Sequence, residues 1–249
     1  MLRGLVAALE FLTVCPVPGR SARAPEDLGR GGWAFPVVGL ALGVALVVLD
    51  RGLPRLFPEP AVTALLVAAW VGVSGGLHLD GLADALDGLG GGWGREQSLG
   101  VMRDARIGSY GVIGIVLALM VLASALFLLH QTRTVGLLLA PALGRLAPVL
   151  LARLCPPARP DGLGFTFARA LSRRGCAAAV GIGVATSLAL IGWWGVVLVG
   201  WVCAVAVLWA WYLARKLGGM TGDLLGASVA GTEAFVLLFL VALEHRGLV

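Results

Sequence analysis

Residues 176–214 read CAAAVGIGVATSLALIGWWGVVLVGWVCAVAVLWAWYLA, an apolar run without a single charge. A helix rises 1.5 Å per residue and a hydrocarbon layer is roughly 30 Å thick, so this run is too long for one crossing and long enough for two. Gly192, Trp193, Trp194 and Gly195 punctuate its middle. The stretch therefore predicts two spans, 176–194 and 195–214, joined by a tight hairpin. A chain with this feature is built for a bilayer.

Further apolar stretches extend the pattern. Spans are expected at 33–49, 61–77, 107–130 and 134–151, with a short seventh segment near 232–243 that crosses with its neighbours' help or re-enters. Composition agrees: of 249 residues 59% are hydrophobic and 13% charged, and the mean hydropathy is +0.93. A water-soluble fold needs charges nearer roughly a quarter of its residues. The expected fold class is all-α, a polytopic membrane bundle of six or seven transmembrane helices forming a single integral domain over 1–249. Residues 1–32 form its interfacial part and 33–249 the bundle.

At the amino terminus Arg3 precedes an apolar stretch, but Glu10 interrupts it and no small-x-small cleavage site follows, which excludes a signal peptide. Val14 before Cys15 excludes a lipoprotein box. Leu2, Leu5, Val6, Leu9 and Leu12 recur at helical spacing and predict an amphipathic helix in the interface, ended by Pro16 and Pro18. Residues 19–32 read as a loop.

Placed between the spans, the basic residues give orientation. Fourteen of the 19 lie on the side of the amino terminus, four on the other, and Arg145 alone lies within a span. Positive loops stay in the cytoplasm, so the amino terminus is expected there. Trp193 and Trp194 would then sit in the outer aromatic belt, with Trp33, Trp209 and Trp211 in the inner one. Asp80, Asp84, Asp87, Glu96, Asp104, Asp161, Asp223 and Glu233 all fall on that cytoplasmic face. Cys15, Cys155, Cys176 and Cys203 are widely spaced and histidine is scarce, which excludes soft-metal sites and points to a hard ion held by oxygen.

Three clusters carry chemistry. In Gly76-Leu77-His78-Leu79-Asp80-Gly81-Leu82-Ala83-Asp84-Ala85-Leu86-Asp87-Gly88, the aspartates fall within about 60° of arc on a helix turning 100° per residue. Such a face suits Mg²⁺ or Mn²⁺ shared with substrate phosphate. His78 lies off that arc and is a candidate general base. In Met102-Arg103-Asp104-Ala105-Arg106-Ile107-Gly108, two arginines flank an aspartate, a pattern suited to phosphate and metal. In Gly218-Gly219-Met220-Thr221-Gly222-Asp223, glycines admit an anionic ligand, Thr221 can donate to phosphate and Asp223 can complete a metal site. The bland alternative is a turn whose Thr221 or Asp223 caps the last helix. Arg145, with no acidic residue in its own span, is a candidate phosphate ligand. Gly39-x-x-x-Gly43 and Gly72-x-x-x-Gly76 read as helix-packing signals.

Together with Phe11-Leu12-Thr13, Pro16 and Pro18, these clusters in this order resemble the cobalamin synthase, or adenosylcobinamide-GDP ribazoletransferase, family over nearly the whole chain. The resemblance implies a cobalamin-biosynthesis transferase of the inner membrane, with its active site facing the cytoplasm. A hydroxyl of alpha-ribazole or its 5'-phosphate would attack adenosylcobinamide-GDP, and GMP would leave. Combined with the residue reading, Asp80, Asp84 and Asp87, with Asp104 or Asp223, would hold Mg²⁺. Arg103, Arg106, Arg145, Thr221 and Gly222 would bind substrate, and His78, Asp80 and Asp84 would be catalytic. The expected partners are the two substrates and the lipid bilayer, with no nucleic acid. A homo-oligomer stays open, because the glycine-rich helices can pack within one chain or between chains. Two alternatives remain. A CDP-alcohol phosphotransferase also sets spaced aspartates at membrane-helix ends, but it places Ala-Arg after its Asp-Gly, where this chain has Ala83-Asp84. A divalent-cation transporter should carry acids along a path through the membrane, whereas here they gather at one edge.

Overall fold

The computed structural model describes residues 2–15, 26–92 and 94–249. Pro16 and Pro18, and Arg20 and Arg23 of the expected loop, lie outside the described residues. Helices account for nearly all of the rest, in the order α1 (Leu2–Leu12), α2 (Glu26–Arg30), α3 (Phe35–Gly52), α4 (Glu59–Val73), α5 (Leu77–Gly90), α6 (Arg95–Val101), α7 (Ser109–Leu128), α8 (Arg133–Leu154), α9 (Gly162–Ala170), α10 (Arg173–Ile191), α11 (Trp193–Leu217) and α12 (Gly222–His245). Six of these are long and apolar enough to cross a membrane, and the bent pair α4–α5 makes up to seven. The chain is an integral membrane helix bundle.

α8 is its axis. In the most apolar 18-residue window of α8, 89% of the residues are buried, against 28% for α7, 22% for α10 and 33% for α11, whose outward sides are left for lipid. α3 approaches α8 closely because Gly39 and Gly43 present no side chain. A Cβ at Gly43 would lie 2.6 Å from the Leu137 carbonyl oxygen, and one at Gly39 would collide with that of Pro141. Gly72 faces open space, so the second glycine pair is no packing seam.

The expected hairpin is present, turning at Gly192 between α10 and α11. Two other boundaries differ from expectation. The segment 61–77 is no full span: α4 has 15 residues, about 22 Å of helix. Gly75 and Gly76, at φ +60° and +75°, then turn the chain through 83° into α5. Conversely, 232–243 belongs to the 24-residue α12, long enough to span unaided. Thr232 and Glu233 look like loop residues in isolation, but α12 tolerates Glu233 because Arg145 of α8 pairs with it. α1 follows the expected amphipathic helix and buries Val6, Ala7, Ala8 and Leu12. The expected loop before α3 contains the short helix α2.

At the bundle end carrying the α10–α11 hairpin, Glu244 accepts from the amides of His130, Gln131 and Thr132 at 3.0, 3.2 and 3.0 Å. Arg133 there pairs with Asp50 at 2.8 Å and Glu59 at 2.5 Å. The opposite end gathers α1, α2, α5, α9 and the start of α12 around a cavity.

Candidate active site

That cavity, about 510 Å³, is built by a few local constraints. Gly81 lets α5 lie against the first turn of α12, since a Cβ there would sit 2.7 Å from the Asp223 carbonyl oxygen. Asp80 and Asp223 thereby line one space, and Asp84, one turn along α5, lies within electrostatic reach of Asp80, Asp223 and Asp87. Among the described residues the Asp80 and Asp84 carboxylates make no hydrogen bond or ion pair. Repulsion among unpartnered carboxylates is relieved by a cation.

The cationic side is held by the backbone. Ala158 donates its amide to the Met220 carbonyl and Met220 donates to that of Pro156, both at 2.8 Å, which ties the segment after α8 to the turn before α12. Arg95 donates to the Leu217 and Ala158 carbonyls at 2.7 and 3.1 Å. Arg159 and Asp161 are thus set beside Asp223. Arg159 donates to the Leu99 carbonyl at 2.6 Å, and Arg103 pairs with Asp161 at 3.1 Å. Burial and the neighbouring Arg103 cation hold the Arg159 guanidinium below the usual arginine range, so an anion there would be welcome.

Of the residues singled out in the sequence, the cavity brings together His78, Asp80, Arg103, Thr221, Gly222 and Asp223, with Asp84 adjoining. His78 is buried, and neither ring nitrogen has a hydrogen-bond partner among the described residues. Thr221 caps α12, accepting from the Leu224 amide at 3.4 Å, so the bland alternative for that cluster holds for its hydroxyl.

Four of the residues singled out are not among those lining the cavity, and each has a partner elsewhere. Asp87 turns away to accept from the amides of Gly108 and Gly111 at 2.7 and 2.9 Å, closing the amino terminus of α7. Asp104 and Arg106 pair with each other on the exposed surface, and the guanidinium holds the Asp104 carboxyl down at about 2. Arg145, 1% exposed, is paired with Glu233 inside the bundle, away from the cavity lining. Glu233 accordingly leaves the acidic face. Arg159 escaped the sequence reading because one more arginine in a basic loop carries no signal.

No three His, Cys, Asp or Glu side chains among the described residues stand close enough to form an all-protein metal cage. Mg²⁺ rarely uses one. It is bound through one or two carboxylates, with substrate phosphates and water completing the octahedron. The unpartnered oxygens of Asp80 and Asp84, with Asp223 near, fit such an ion, and Arg103 and Arg159 fit the phosphates it would accompany.

A family model described as cobalamin-5-phosphate synthase matches residues 4–241. Among curated proteins, the adenosylcobinamide-GDP ribazoletransferase of Geotalea daltonii is 41% identical over 248 residues, covering 99% of this chain and 100% of that protein. The protein of the same name from Pseudomonas aeruginosa is 41% identical over 244 residues, covering 96% and 98%. That from Pseudomonas fluorescens is 42% identical over 239 residues, covering 93% and 96%. No solved structure matches the chain.

Proposed function

The chain belongs to the cobalamin-5-phosphate synthase family, and from that premise we propose that it joins adenosylcobinamide-GDP to alpha-ribazole, or its 5'-phosphate, releasing GMP. The observation that carries this reading is a cavity that sets the unpartnered carboxylate of Asp80, with Asp84 adjoining, across from the guanidinium groups of Arg103 and Arg159. A diphosphate needs both: a cation held by carboxylates on some oxygens and fixed donors on others.

In the proposed reaction a ribazole hydroxyl attacks the phosphorus that carries cobinamide. One P–O bond forms, the bond to the bridging oxygen breaks, and GMP departs with its electron pair. Asp80 and Asp84, with Asp223, would hold Mg²⁺, which when bound neutralises charge developing on the leaving phosphate. Arg159 and Arg103 bind phosphoryl oxygens and orient the phosphorus. The hydroxyl proton passes to one carboxylate of the acidic face or to His78, whose buried ring nitrogens have no partner among the described residues. Asp87 and Arg145 support the scaffold rather than the phosphates.

The excess of basic residues on the cavity side supports a cytoplasmic active site in the inner membrane. Substrate omission tests the reaction. With adenosylcobinamide-GDP alone the purified protein should release almost no GMP, and adding alpha-ribazole should start release. Equal release with and without ribazole would make it a hydrolase and overturn the reading.

A further inference from the structure

The mechanism uses only part of the cavity. The rest of its lining is aromatic and aliphatic, drawn from elements that bear no catalytic residue: Phe11 of α1, Leu28 of α2, Phe35 of α3, and Phe165 and Phe167 of α9. Three of these rings, Phe11, Phe35 and Phe167, pack together through Phe35, and Phe165 lines the same cavity with the Arg169 guanidinium over its ring. Phe35 stacks on Phe167 with centroids 5.1 Å apart, and Phe11 leans on Phe35 at 6.2 Å. Phe35 and Phe167 are 1% and 2% exposed and build the wall, whereas Phe11 and Phe165 are half-buried and reach its surface.

Building on the transferase reading, we propose that this wall is the subsite for the aromatic base of the ribazole acceptor, with Phe11 and Phe165 as its contact residues. Three observations select that occupant. The wall lies in the same cavity as Asp80 and Asp223, so a ligand held on it can present a hydroxyl to the phosphoryl site. The cavity, about 510 Å³, is of the size that encloses a nucleoside and too small to enclose a corrin macrocycle with its amide arms.

The third observation is chemical. None of these wall side chains carries a hydrogen-bonding atom. On this wall the amide and amino edge of the donor's guanine would meet none of its side chains as a hydrogen-bond partner, at the cost of leaving polar groups poorly satisfied. A dimethylbenzimidazole presents two methyl groups on the corresponding edge and loses nothing. Its flat face suits offset stacking on phenylalanine. The wall therefore discriminates by what it lacks: it accepts a base without polar edge groups and rejects a purine.

Equilibrium binding of alpha-ribazole to the detergent-purified full chain in EDTA tests this without turnover. Phe165→Ala and Phe11→Ala should each weaken binding about ten- to hundred-fold, the range expected for loss of one stacked base contact. Phe165→Tyr keeps the ring and should bind like the parent. In steady state the same alanine variants should raise KM for ribazole while KM for adenosylcobinamide-GDP moves less than twofold. Parent-like ribazole affinity in folded alanine variants would overturn the subsite, as would a rise confined to the donor's KM, which would give the wall to guanine. If the parent protein bound ribazole but released no GMP, the transferase reading would fail while the subsite stood.

Discussion

Arg145 of α8 and Glu233 of α12 form an ion pair inside the bundle, and the Trp70 indole donates to the same carboxylate at 2.9 Å. Both charged residues are almost wholly buried, about three turns into α12 from its capped end. An intramembrane arginine invites a functional reading, and here its charge is answered by a neighbouring helix instead. Three helices, α4, α8 and α12, are pinned at one level, directly behind the bend that launches α5 into the cavity.

Removing one member of that pair leaves the other charge buried and alone, at a cost of about 3–5 kcal/mol. Glu233→Leu and Arg145→Met should each lower the unfolding temperature in detergent, and the double variant should recover most of the loss. A stable, folded Arg145→Met with a raised donor KM would instead return Arg145 to the phosphates.

Asp80→Asn and Asp84→Asn should each lower kcat at least about a thousand-fold with little change in unfolding temperature, because neither carboxylate supports the fold through a hydrogen bond. Asp87→Ala should behave oppositely. It leaves the amides of Gly108 and Gly111 without their acceptor, costing about 1–3 kcal/mol, with turnover surviving in the folded fraction. Thermal unfolding beside initial rates on the three variants checks the contrast.

Arg159→Met should raise KM for adenosylcobinamide-GDP by about ten- to hundred-fold, as loss of a charge-assisted phosphate contact does. KM for ribazole should stay within a few-fold. Arg106→Met, remote from the cavity, should leave both constants unchanged, and steady-state kinetics distinguishes the two arginines.

If His78 takes the hydroxyl proton, His78→Asn should lower kcat about a hundred- to ten-thousand-fold with both KM values nearly constant, the pattern for a lost proton acceptor. A change confined to stability would reduce His78 to a buried packing residue.

How far the sequence carried these assignments varies by residue. Period and composition suffice for the bundle, since a bilayer demands apolar helices and tolerates little else. The arc of Asp80, Asp84 and Asp87 follows from 100° per residue, yet periodicity says nothing about which neighbour each carboxylate meets, and α7 takes Asp87. Arg145 looked isolated because its partner stands 88 positions away in a segment that seemed too short to span. Arg159 owes its place to paired amides between Ala158 and Met220, a contact no local pattern announces. Thr221 was the reverse case, where a cap is local and a short motif identifies it, whereas the left-handed turn at Gly75-Gly76 was hidden because the apolar pattern of 61–77 runs straight through it.

The most direct measurement is GMP formation by the purified chain given adenosylcobinamide-GDP and alpha-ribazole, first with Mg²⁺ and then with EDTA, with the corrinoid product quantified alongside. Release that is abolished by EDTA, restored by Mg²⁺ and matched one for one by the joined corrinoid is the predicted result. Folded protein that releases no GMP with Mg²⁺ present, or releases it undiminished in EDTA, would contradict a metal-assisted transferase at the Asp80–Asp84 face.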